Sequence, residues 1–503
     1  MKKIVLVALS ILAVSLPAFA QDSNDPKEKK VLIIGVDGMR PDALAKAKTP
    51  RMDELIRNGA FADNTKILGE RYRENNTISG PSWSSILTGV WADKHGVRDN
   101  FFFGRNFKEF PHVFQRIKAV RPEALTVSMV SWEPIDQFIV SDADIRHVQP
   151  LGGGIARSMD LTVSADSIVS DTRDGKWHHL VGRREGKTVS LFLNGTLAGS
   201  GEDVAGDFEL GGNSFFIGRD TRTGPMEFAG ELSEVRLWNR ALTVAEIKAI
   251  AEQGHGKGAL PRSVKADQLL VHHKDAAPGT EIPVETPMRG ITQGDFTVEA
   301  WFKTTRTDRS VIMGNYRRNQ RAVNLELQTD NRIRLLIQPY IEPEVRLAGE
   351  DEGDGKMAAT AARMLREKDP TAMFIYFHQV DATGHTLGFS PDRPEYIRAI
   401  QNVDSHIGTV LNALKSRVNY AKEDWLIIVC TDHGGFGTTH SAGHDNWEIN
   451  TAFLLVSGPS TAHGKIEEQT YLVDIVPTVL THLGVPIDPG WKLDGRPVGL
   501  ATR

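Results

Sequence analysis

Four short, nearly uninterrupted apolar runs set the frame of this chain: Val31–Val36 (Val-Leu-Ile-Ile-Gly-Val), Leu125–Val130, Met373–Phe377 and Leu426–Cys430. Continuous rather than alternating hydrophobicity predicts strands buried on both faces, as in a parallel sheet. Between them run sequences with helical character: 50–58, 84–87, 355–367, 394–414 and 473–483. Strands alternating with helices predict an α/β/α sandwich. In such a fold the functional site lies at the carboxyl ends of the strands. Asp37, Asp381 and Asp432 all fall at or just past those ends.

The stretch from about Leu151 to about Ile341 reads differently. Short alternating segments dominate: 177–181, 189–193, 215–217, 296–302 and 333–337. The dipeptides Asp174-Gly175 and Asn194-Gly195 punctuate them as turns. This pattern predicts an antiparallel β-sandwich. Its segments Asp174-Gly-Lys-Trp-His-His-Leu-Val181, Leu191-Phe-Leu-Asn-Gly195, Gly230-Glu-Leu-Ser-Glu-Val-Arg-Leu-Trp-Asn-Arg240 and Phe296-Thr-Val-Glu-Ala-Trp-Phe302 resemble the concanavalin-like, laminin-G-type jelly-roll family. In that family the segment like 296–302 comes first and the Trp238-Asn-Arg stretch last. Here the order is reversed, which implies a circular permutation joined near residues 254–261; sandwich termini lie close enough for this.

The 503 residues carry a net charge of -5 and are 40% hydrophobic, an ordinary globular composition. That balance gives no ground for a nucleic-acid-binding surface or an anionic membrane partner. Lys2 and Lys3, the apolar run 4–16 and Ala18-Phe19-Ala20 predict a secretory signal peptide cut before Gln21, hence a periplasmic or secreted protein. The run is shorter than the ~20 residues a membrane span needs, so no membrane anchor is expected. The single cysteine, Cys430, allows no internal disulfide and reads as a buried strand residue. The expected organisation is therefore 1–20 signal peptide, 21–30 disordered lead-in, 31–150 first catalytic part, 151–341 β-sandwich insert and 342–503 second catalytic part.

Five patches carry chemistry: Val36-Asp-Gly38, Ser79-Gly-Pro-Ser82, Asp381-Ala-Thr-Gly-His385, Thr431-Asp-His-Gly434, and the histidines 440 and 444. They supply carboxylates, imidazoles and a hydroxyl, the parts of a hydrolytic two-metal centre. Ser79 stands at an expected helix start, where free amides and the helix dipole favour an anion; Thr77 and Ser82 are its neighbours and rivals. Asp42 reads as a helix cap, and His95 and Asp404 read as structural.

These patches resemble the alkaline phosphatase superfamily, most closely its type I phosphodiesterase and nucleotide pyrophosphatase branch, over roughly residues 31–132 and 356–500. The resemblance implies Ser79 as nucleophile and Asp37 as a metal ligand. It implies Asp381 and His385 on one zinc, completed by His440 or alternatively His444, and Asp432 and His433 on the other. Two Zn²⁺ are the expected cofactors, since imidazole suits zinc better than calcium; manganese or iron are the alternatives. The expected activity is hydrolysis of phosphate mono- or diesters, small or polymeric, through a phosphoseryl intermediate. A sulfatase of the same superfamily is the runner-up. It is disfavoured because Trp83 stands where the sulfatase motif has Arg, and Gly38 where it has a second Asp. A third reading is a non-catalytic scaffold displaying the insert, which could bind a glycan or a protein.

Overall fold

The computed structural model describes residues 27–69, 73–100, 102, 104–150, 161–164, 172–202, 214–220, 226–282, 294–306, 310–315, 322–327, 333–338 and 343–501. The expected signal peptide lies outside them. The expected lead-in does not reach residue 30, because the first strand starts at Glu28. Lys30 is fully buried there with its ammonium 2.9 Å from both Glu28 and Asp369. Its long apolar stem can be buried while the charged tip is paired.

The part of the chain on either side of the sandwich is built on an eight-stranded sheet. Its order is 464–465, 59–66, 451–457, 423–430, 28–36, 372–377, 126–130, 145–148. From Glu423–Cys430 to Ile145–Val148 the neighbours run parallel. Both faces are buried, as the continuous apolar runs require. Val31 and Ile33 pack in a core with Trp83, Ile117 and Val479. Leu32, Ile34 and Val36 pack in a second core with Met357, Val403 and Leu411. Helices Ser79–Thr88, Val113–Val120 and Ile475–Leu483 cover the first face, and Pro50–Arg57, Pro343–Glu367 and Pro394–Lys415 the second. The helix expected over 84–87 is thus longer at its start, and the one expected from 355 begins at Pro343.

The sheet is mixed. Thr451–Ser457 runs antiparallel to both its neighbours, and the strand Gly59–Lys66 joins beyond it. Gly59–Lys66 is not marked as a strand by its sequence, since it contains Gly, Asp and Asn and is only partly buried; Thr451–Ser457 is a further continuous apolar run, buried throughout, beyond the four named above.

Between residues 161 and 338 the chain forms two six-stranded antiparallel sheets. In the first, Phe296–Lys303 lies between Glu231–Trp238 and His178–Glu185. Phe296, Val298, Ala300 and Phe302 face the sandwich core, so Thr297, Glu299 and Trp301 face outward. Asn194 and Gly195 both have positive φ (51° and 81°) in the hairpin joining 188–193 to 196–202, the turn their sequence predicts. The helix Val244–Gln253 was not expected. It starts at a capping box, Thr243 with Glu246, and lies just before the inferred join.

Candidate metal centre

Each patch reaches the site by a different local device. Asp37 follows the last residue of the central strand and is 1% exposed. Trp83 Nε1 donates to its Oδ2 at 3.1 Å and the Tyr376 hydroxyl donates to the same oxygen at 2.5 Å. Among the described residues its Oδ1 has no hydrogen-bond partner. Gly38 adopts φ +65°, and a Cβ there would meet Asp381 atoms at 3.0 Å. That strain and crowding explain why a second aspartate is not accommodated at position 38. The Gly38 amide donates to Asp432 Oδ1 at 3.1 Å, while Asp432 Oδ2 is buried without a hydrogen-bond partner.

Asp381 and His385 sit four apart on the helix Gln379–Leu387, hence on one face. His385 Nε2 lies 3.4 Å and His440 Nε2 3.5 Å from Asp381 Oδ1. The two Nε2 atoms lie 2.8 Å from each other. In both rings Nδ1 faces a backbone carbonyl, Thr438 for His385 at 2.8 Å and Thr77 for His440 at 3.2 Å. His433 does the same with Gly434 at 2.9 Å. With Nδ1–H donating, each Nε2 carries a lone pair. Two lone pairs facing across 2.8 Å repel unless a cation shares them. Holding the outer nitrogen on a carbonyl is also how proteins orient metal-binding histidines.

His433 Nε2 stands at the middle of the cluster. It lies 3.5 Å from Asp37 Oδ1, 3.2 Å from Asp432 Oδ2 and 3.2 Å from Ser79 Oγ. Two groups place all their ligand atoms within 4.8 Å of one another: Asp37–Asp432–His433 and Asp381–His433–His440. The electrostatics agree with a site made for cations. Burial, then the Asp37 charge, pushes Asp432 well above the ordinary carboxylate range. Burial holds His433 below its ordinary value. Three buried carboxylates with imidazoles and two orphaned oxygens form a donor set that fits zinc or a similar divalent ion.

Ser79 is the first residue of its helix, with Ile78 at the N-cap. Its rivals are placed elsewhere. Thr77 Oγ1 donates to the His440 carbonyl at 2.6 Å and accepts from the Gly443 amide at 2.8 Å. Ser82 lies one turn inside the helix. The cluster takes in Asp37, Ser79, Asp381, His385, Asp432, His433 and His440. It leaves out His444, whose Nε2 contacts the Asn75 carbonyl at 2.7 Å.

His95 and Asp404, read above as structural, lie outside the cluster. His95 Nε2 meets Ser85 Oγ at 3.1 Å, and Asp404 accepts from the amides of Arg51 and Met52. Asp42 does not cap its helix but pairs with Arg40 at 2.7 Å. Cys430 is buried, and burial pushes its thiol up.

Several site residues escaped sequence reasoning. Trp83 registered only as a missing Arg, yet it fixes Asp37. Asn100 Oδ1 accepts from the Gly80 amide at 2.6 Å, beside Ser79; nothing in its local sequence marks it. Glu350, Asp354 and His378 lie buried behind Asp381. Burial opposes the charge on His378, but Glu350 beside it overrides this and holds the imidazole up at about 9. Burial likewise holds Asp354 up at about 7.

The family model described as type I phosphodiesterase / nucleotide pyrophosphatase matches residues 31–135 and 212–473, more than half of the chain. The chain belongs to that family. A second family model, the concanavalin A-like lectin/glucanase superfamily, matches residues 136–248. The 2,3-bisphosphoglycerate-independent phosphoglycerate mutase of Haloarcula marismortui is 27% identical over 134 residues, 26% of this chain and 24% of that protein. The bis(5'-adenosyl)-triphosphatase ENPP4 of Homo sapiens is 27% identical over 103 residues, 20% of this chain and 21% of that protein. The chain thus spans about a quarter or less of these relatives' length. A solved structure of murine ectonucleotide pyrophosphatase/phosphodiesterase 5 aligns with a TM-score of 0.41 at 11% identity, over 92% of this chain and 96% of that one.

Proposed function

We propose that this chain is an exported, zinc-dependent phosphoric ester hydrolase with Ser79 as nucleophile. One observation carries the reading: Ser79 Oγ stands 3.2 Å from Nε2 of His433, the residue common to both groups of candidate ligands. One cation would be held by Asp37, Asp432 and His433, the other by Asp381, His385 and His440. Divalent cations there lower the pKa of a coordinated hydroxyl and offset charge on phosphoryl oxygens.

The chain's own residues do the rest. Ser79 stands at the start of helix 79–88, where the helix dipole favours negative charge. Trp83 and Tyr376 hold Asp37 by one oxygen and leave the other turned to the cluster. Ser79 Oγ bonds to phosphorus as the phosphorus–oxygen bond to the leaving group breaks, and water then cleaves the phosphoseryl ester. Export rests on the expected signal peptide, and zinc on the imidazole-rich donor set.

The test is hydrolysis of p-nitrophenyl phosphate, bis-p-nitrophenyl phosphate, a phenylphosphonate ester and p-nitrophenyl sulfate, with and without zinc, by wild type and Ser79→Ala. Zinc-dependent turnover of a phosphorus ester that Ser79→Ala abolishes supports the proposal. Turnover of the sulfate alone overturns it in favour of a sulfatase.

A further inference from the structure

The helix Pro343–Glu367 carries an unusual sequence for a long helix. Gly349, Gly353 and Gly355 lie inside it, each costing roughly 1 kcal/mol against alanine. Glu350 and Asp354, one turn apart, are 3% and 2% exposed, and like charges at that spacing are unfavourable in a helix. Neither feature serves the helix itself.

Both carboxylates serve the neighbouring helix Gln379–Leu387, which bears Asp381 and His385. That helix receives no side-chain cap from its own N-cap residue, His378. Asp354 supplies one from outside: Oδ1 accepts from the His378 amide at 3.1 Å and Oδ2 from the Gln379 amide at 2.9 Å. Glu350 Oε2 holds His378 Nδ1 at 3.2 Å. The far nitrogen of the same ring, Nε2, stands 3.6 Å from Asp381 Oδ2. Asp381 therefore turns one oxygen to His378 and the other to His385 and His440.

We propose that Glu350 and His378 are positioning residues for the metal centre: Glu350 orients the His378 ring, and His378 orients the Asp381 carboxylate so that Oδ1 faces the cation. Asp354 fixes the helix end on which this chain of contacts stands. The inference rests on the metal-centre reading above. Outer partners of this kind commonly change metal affinity by roughly 10- to 100-fold.

The experiment measures zinc retention by the full chain against a competing chelator, for wild type, Glu350→Gln, His378→Leu and His378→Gln. Circular dichroism and Tm establish which variants are folded. Glu350→Gln is nearly isosteric and His378→Gln keeps an amide donor, so both fold. In the expected result zinc affinity falls roughly 10- to 100-fold in His378→Leu and Glu350→Gln. His378→Gln recovers part of the loss, and kcat falls more than KM rises at saturating zinc. Wild-type zinc affinity in folded Glu350→Gln and His378→Gln overturns the positioning role and leaves the metal centre standing. Wild type that retains no zinc, manganese or iron overturns the metal centre, and the positioning role with it.

Discussion

Two of the buried ionisable clusters among the described residues are closed in opposite ways. On the outward face of the sandwich, His272, Glu234, Arg236, Glu299 and His179 form a continuous seam across neighbouring strands. His272 meets Glu234 at 2.7 Å, Arg236 meets Glu299 at 3.1 Å, and His179 meets Glu299 at 2.9 Å. Arg236 also pairs with Glu234. A guanidinium in the middle bridges both carboxylates. The cluster at the ends of the catalytic strands has carboxylates and imidazoles but no guanidinium or ammonium among the contacts that unite it. Among the described residues Asp37 Oδ1 and Asp432 Oδ2 have no hydrogen-bond partner there, whereas the seam's unpartnered carboxylate oxygen, Glu234 Oε1, belongs to a carboxylate already paired with Arg236. A seam closed by its own cation is structural; one left open needs a cation from outside.

The largest expected effects break the open cluster. Ser79→Ala lowers kcat on the best phosphorus ester by on the order of ten-thousand-fold, with Tm close to wild type; steady-state kinetics beside a melting curve checks both. Asp432→Asn removes a charge that burial already disfavours. It should therefore leave the apo protein as stable as wild type or more so, while zinc content measured after dialysis falls toward zero. An apo protein markedly less stable than wild type would show that the Asp432 charge is neutralised within the chain, and the contrast with the sandwich would fail.

The closed seam should respond the other way round. Arg236→Leu leaves two buried carboxylates without their bridge and costs about 3–5 kcal/mol of sandwich stability, read by denaturant unfolding. Zinc content and kcat on small esters stay at wild-type values wherever the sandwich remains folded. Loss of zinc in this variant would mean that the two clusters are coupled.

What the sequence made legible follows from the same physics. Buried parallel strands announce themselves because both faces are apolar, so the sequence alone puts Asp37, Asp381 and Asp432 at or just past strand ends. Spacing along one helix also put Asp381 and His385 together. The choice between His440 and His444 was not legible, because both lie in one loop and only the backbone decides which imidazole turns inward. Glu350 and Asp354 were hidden by their setting in a glycine-containing, charged stretch that reads as a solvated face. Asn100 and Trp83 act through contacts made across the fold, which no local pattern encodes. In the sandwich, the strands are legible by alternation, but the ten-residue helix 244–253 sits among them as a single short amphipathic segment that the strand pattern masks. The lectin-type family match ends at residue 248, shortly before the join inferred near 254–261, and a permuted order remains our reading of that arrangement.

The smallest effect sharpens the contrast through pH. Glu246 is held down at about 2, first by its hydrogen bond to Arg240, then against the opposing effect of burial by the Thr243 amide and hydroxyl. A folded pKa below the ordinary 4.5 means this carboxylate contributes stability fully above about 4.5, and that contribution is lost as pH falls toward 2. Glu246→Gln should lower the sandwich Tm slightly at pH 7, and the gap to wild type should close between pH 4.5 and pH 2. Thr243→Ala, which removes the other half of the capping box, costs about 1 kcal/mol at any pH where the helix is folded. Because the contacts of Arg240 and Glu246 run to Thr243, Lys265, Asp267 and Trp238 and to no candidate metal ligand, added zinc should not move either curve. The same scan on Asp432→Asn in the presence of zinc should differ from wild type near pH 7 and converge on it at acid pH, because the ligands must be deprotonated to hold the cation that the missing charge would have met.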